Sequence, residues 1–138
     1  MRNSGGERPF SESETQALRD ILQNLQNEGE SVTVIAYHYH TGIAGQGTVQ
    51  PGYQTYYSPV QPSDGLARRL EQLAGYAYLP YWDGSYVPSG ELIQWCAING
   101  IAAVDVELPR GVQPDSRPSG QTRTVFEAAL VGVTGIFE

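Results

Sequence analysis

Two histidines and two carboxylates are the residues of this chain whose types and spacing could do chemistry. His38 and His40 are the only histidines in 138 residues, and they close an apolar run that begins at Val32. A neutral imidazole is a common zinc ligand and a ready proton carrier. Side chains two apart on a strand point to one side, so both rings could serve one site, or form a hydrogen-bonded polar cluster. Asp105 and Glu107 lie in a second apolar run, from Ile101 to Leu108. An acid closing a buried strand is partly desolvated, which raises its pKa and suits Glu107 to general-base work. Asp105 points to the same side and competes for that role. The loop Gly84-Ser85-Tyr86-Val87-Pro88-Ser89-Gly90 adds a tyrosine, an amphipathic contact and a hydrogen-bond donor. No H-E-x-x-H, C-x-x-C or H-x-x-E occurs: three residues beyond the two histidines stand Thr41 and Ile43. Motifs within this sequence therefore do not assemble a complete metal site.

The elements that must position these residues follow from periodicity and stop signals. Ser11 and Glu14 have capping-box spacing, and Leu18, Ile21, Leu22 and Leu25 then form one helical stripe. Gly29 ends that helix, and 32–37 reads as a buried strand. From about Thr41 to Ser63 the chain is rich in glycine, proline and tyrosine, and it reads as a long irregular, functional stretch. A second helix runs from an Asp64 N-cap through Leu66, Leu70 and Leu73 to Gly75. Residues 76–81 read as extended, and Asp83-Gly84 as a turn. A third helix spans 91–99, and 101–108 is the second buried strand. A Pro/Gly/Ser-rich connector, 109–120, leads to a last helix with Phe126, Leu130, Val133 and Phe137 on one face. Helices alternating with buried strands imply one α/β domain over 1–138, with a mixed, mostly parallel sheet flanked by helices. Sites in such sheets gather at the carboxyl ends of strands, where both histidines and Glu107 fall.

Composition narrows the partners. Hydrophobic residues make up 40% of the chain and charged residues 17%, a globular balance. The net charge is −7 and all eight basic residues are arginines, so no basic stripe invites nucleic acid or an anionic membrane. No apolar run reaches the roughly 18 residues of a membrane span. Cys96, the single cysteine, reads as a small buried hydrophobe. Met1 to Gly6 is followed by no apolar segment of the signal-peptide kind.

Taken together, these pieces resemble the second half of the M14 zinc carboxypeptidase family. The resemblance rests on Ser11-Glu12-Ser13-Glu14-Thr15 opening a helix, then Tyr37-His38, then Tyr86-Val87-Pro88-Ser89-Gly90 running into Gln94-Trp95, and finally a strand ending in Glu107-Leu108. It covers nearly the whole chain and implies a truncated carboxypeptidase-like fold. It further implies that His38 is the third zinc ligand, with His40 as the alternative, and that Tyr86 closes over bound substrate. Ile93 would line the side-chain specificity pocket. Glu107 would activate a zinc-bound water and pass its proton to the leaving amine.

The family's first two zinc ligands come from an H-x-x-E segment upstream, which this chain lacks, and Gln94 stands where many members have Asp. The expectation is therefore a metallocarboxypeptidase, hydrolysing C-terminal peptide bonds with zinc in the complete domain, of which this piece alone is inactive. Peptides or cell-wall peptides are the expected substrates. The alternative is a non-catalytic remnant of the fold, a binding or assembly module that self-associates through an exposed sheet edge or apolar face.

Overall fold

The computed structural model describes residues 8–39, 47–55, 58–81 and 90–108. His40, Tyr86, the expected Asp83-Gly84 turn, the 109–120 connector and the helix expected after it lie outside the described residues. The chain divides into two compact units, Met1–Thr33 and Val34–Glu138.

The first unit holds helix α1, Ser13–Asn27. The expected capping box does not form. Glu12, not Ser11, is the N-cap, and the Ser11 hydroxyl donates to the Glu12 carboxylate instead of to the helix. The C-terminal stop is as expected. Gly29 takes a φ of 82°, its amide bonds Gln26 O and the next amide, Glu30, bonds Leu25 O, a Schellman closure. Of the apolar stripe, Leu22 is buried, whereas Leu18, Ile21 and Leu25 are exposed.

The second unit is built on a four-stranded sheet. Its strands are β1 (Thr33–Tyr39), β2 (Thr48–Pro51), β5 (Ala77–Tyr78) and β6 (Ala102–Leu108), in the order β1-β6-β2-β5. β2 runs antiparallel to β6, with Thr48 opposite Glu107 and Gln50 opposite Asp105, and parallel to β5. β3 (Tyr53–Thr55) and β4 (Ser58–Pro59) form a separate antiparallel ribbon. The stretch read as irregular thus contains three short strands. β2 is only four residues long between Gly47 and Gly52, and its pairing with β6 and β5, rather than its own pattern, makes it a strand.

Helix α2, Ser63–Ala74, has Pro62 as its N-cap, two residues before the expected Asp64 cap. It ends at Gly75, whose φ of 67° suits the left-handed closing position. Leu66, Ala67 and Leu70 pack with Val49, Tyr76, Val104 and Val106 into the core, flanked by Ile35, Tyr37, Tyr78 and Leu108. Helix α3, Leu92–Ile98, packs on β3 and β6 and buries Ile93, Cys96 and Ala97. The result is the mixed sheet flanked by helices that the sequence implies.

Candidate active site

Strand alternation decides which side chains meet. Val104, Val106 and Leu108 of β6 lie in the α2 core, so Ala103, Asp105 and Glu107 face the other way. Ile35 and Tyr37 of β1 join the same α2 core, which turns His38 to the face carrying the acids. Because β1 and β6 are neighbours, the ring and the acids come together: His38 Nε2 lies 3.4 Å from Asp105 Oδ1. The His38 side chain is 54% exposed and that of Asp105 only 19%. Glu107, next to last in its strand, is half-buried; its Oε2 is buried and has no hydrogen-bond partner among the described residues.

The electrostatics single out Asp105. Burial pushes its carboxyl up to about 6; His38 opposes this, while the charges of Glu91 and Glu107 add to it. Glu91 stands at the start of α3 and accepts a 2.6 Å hydrogen bond from the buried Tyr53 phenol. Cys96, farther along α3, is buried, and its thiol is raised to about 11 by burial and then by the negative charge of Asp105. At neutral pH that thiol is protonated, consistent with a packing role.

His38 and Glu107, singled out from the sequence, therefore share one face of adjacent strands, with Asp105 between them in the sequence pattern. Ile93 is fully enclosed on α3. Sequence reasoning did not connect Asp105 to His38, because that contact requires β1 and β6 to be neighbours. Nor did it find the Tyr53–Glu91 bond, whose partners are 38 residues apart.

An imidazole whose Nε2–H faces a carboxylate keeps the lone pair of Nδ1 for a metal ion, the arrangement usual for metal-binding histidines. The His38–Asp105 pair thus fits one corner of a zinc site. Among the described residues, no group of three His, Cys, Asp or Glu side chains is placed to hold a metal ion. No described helix is long and apolar enough to cross a membrane.

The chain superimposes on the crystal structure of the murein-tripeptide amidase MpaA from Escherichia coli O157 with a TM-score of 0.55 and 21% identity, over 92% of its own length. The likeness is one of fold. It gives this chain the mixed α/β architecture of that amidase. A protein of unknown function from Thermoplasma acidophilum aligns over the same share of the chain, with 18% identity and a TM-score of 0.48. The chain spans 43% of the first of these proteins and 48% of the second. No protein-family model and no curated protein matches the sequence.

Proposed function

We propose that this chain contributes a general base, Glu107, and one metal ligand, His38, to a zinc-dependent peptide hydrolase of the carboxypeptidase kind. The observation that carries the reading is the placement of His38 and Glu107 on one face of neighbouring strands, with the buried Glu107 Oε2 lacking a hydrogen-bond partner among the described residues. Zinc, when bound, would polarise the scissile carbonyl and acidify water. Glu107 would take the proton of the attacking water and hand it to the leaving amine. Tyr86 would cover the substrate, and Ile93 would support the pocket for its side chain. The name of the MpaA neighbour favours cell-wall peptides as the substrate class, with other peptides as the broader alternative. His38 alone is a poor zinc site, so the chain by itself is expected to hold zinc weakly and to hydrolyse nothing at a useful rate.

The test is zinc content per chain after dialysis, for the wild type and His38→Ala, alongside peptide hydrolysis by the wild type and Glu107→Gln. Weak, substoichiometric zinc that His38→Ala abolishes supports the reading. Zinc retained equally by His38→Ala removes His38 from the ligand set; wild-type hydrolysis at a useful rate overturns the expected inactivity of the chain alone, and such hydrolysis persisting undiminished in Glu107→Gln removes the base.

One observation favours a second reading, a non-catalytic module. β1 is an edge of the described sheet, and an open edge invites a further strand from a second copy of the chain. Sedimentation equilibrium distinguishes the two, since a module of this kind would be a concentration-dependent dimer with no response to zinc.

A further inference from the structure

Asp105 occupies an expensive position. Its neighbours along β6 are Val104 and Val106, both buried, and a second acid, Glu107, follows two residues on in the same strand. A valine would fit the strand pattern without the cost of burying a carboxylate. The geometry is specific to one ring nitrogen: Nε2, the far one, stands 3.4 Å from Oδ1 of Asp105.

We propose that Asp105 is a positioning residue for His38, accepting the Nε2 proton and so fixing the ring with Nδ1 as the nitrogen open to a metal ion. This rests on the reading of His38 as a ligand, but the positioning itself is a property of the chain without metal. The roles of the two acids then separate. Asp105 is committed to the imidazole, and Glu107, whose Oε2 has no hydrogen-bond partner among the described residues, is left for the proton transfer. A carboxylate on the second ring nitrogen sets the tautomer, restrains the ring and makes the other nitrogen more basic, and losing such a partner commonly weakens metal binding about 10–100-fold.

The experiment uses the full chain labelled with ¹⁵N at histidine, with His40→Gln to assign the two rings. At pH 7.5 the His38 ring of the wild type should be a single neutral tautomer protonated at Nε2, with its N–H proton visible downfield. Asp105→Val, which suits the strand, should erase that proton signal and give the averaged ring shifts of a free imidazole, while circular dichroism shows the fold retained. Asp105→Asn keeps an acceptor oxygen and should retain the proton signal with exchange at least tenfold faster. A His38 ring unchanged by Asp105→Val overturns the proposal. If that variant does not fold, the decision passes to Asp105→Asn, where unchanged exchange overturns it equally.

Titration with zinc ions alone then separates this proposal from the reading beneath it. Zinc should shift Nδ1 in the wild type, and about tenfold more zinc or beyond should be needed in Asp105→Val. Zinc that leaves Nδ1 unmoved while Asp105→Val frees the ring sinks the ligand assignment and keeps the positioning role. Zinc that binds Nδ1 equally in both proteins sinks the positioning role alone.

Discussion

The phenol of Tyr53 donates a 2.6 Å hydrogen bond to Oε2 of Glu91, tying the β3 ribbon to the start of α3. Tyr53 is 1% exposed, so its hydroxyl is committed to the interior. A hydrogen bond to a charged acceptor contributes more than a neutral one, and Tyr53→Phe removes it without opening a cavity. The variant should unfold about 1–2 kcal/mol more readily than the wild type. Tyr53→Ala, which also empties the ring's space, should cost about 3–5 kcal/mol. Urea denaturation of the three proteins checks both values, and a Phe variant as stable as the wild type would deny the bond any net contribution.

Asp64 gives the fold a dependence on acid. In the first turn of α2, its carboxylate accepts hydrogen bonds from the Tyr78 phenol, from Arg68 Nε at 3.1 Å and from Gln61 Nε2 at 3.3 Å. These contacts, that of Tyr78 foremost, hold its carboxyl below the usual range against the opposing effect of burial, while burial and then Asp64 push the Tyr78 phenol up to about 12. Because the folded pKa lies below the unfolded one, the unfolded chain binds more protons in between. The stabilisation is therefore complete above the unfolded value, near 4, and is lost as pH falls toward and through the folded value. Asp64→Asn should be about 1 kcal/mol less stable than the wild type at pH 7, and the gap should close in acid. Denaturation midpoints across a pH series test this, and a gap that persists unchanged in acid would show that charge is not its origin.

How much of this was legible in the sequence depends on whether the signal was local. α2 could be read because Leu66 and Leu70 are spaced for one helical face and Gly75 supplies a left-handed stop. β1 and β6 could be read as continuous apolar runs long enough to stand on their own. β2 could not, since Thr48–Pro51 becomes a strand only between β6 and β5. The cap of α1 was misread because Glu12, adjacent to the expected Ser11, takes the N-cap position. At the site, the side on which Asp105 and Glu107 point follows from alternation alone. That His38 belongs with them follows from strand order, which no local pattern encodes.

The strand that carries the acids is itself held in register by a buried polar lock. Ser63, with no exposed surface, accepts a 3.0 Å bond from the Ala103 amide, and the Gly52 amide donates to the Ala103 carbonyl at 2.8 Å. The chains are close enough there that a Cβ on Gly52 would stand 2.9 Å from both the Ile93 carbonyl oxygen and Ser63 Oγ. Ser63→Ala leaves a buried amide without a partner and should cost about 1–3 kcal/mol. Gly52→Ala meets backbone that cannot swing aside, so α3 and β6 must separate, at a cost of about 1–3 kcal/mol or more. The distinguishing outcome lies in the double variant. Removing Ser63 Oγ relieves one of the two 2.9 Å contacts, so the pair should cost less than the sum of the single changes, by about 0.5 kcal/mol or more. Strict additivity in urea denaturation would mean that Gly52 and Ser63 act independently, and that Ala103, two residues before Asp105, is not held by a shared lock.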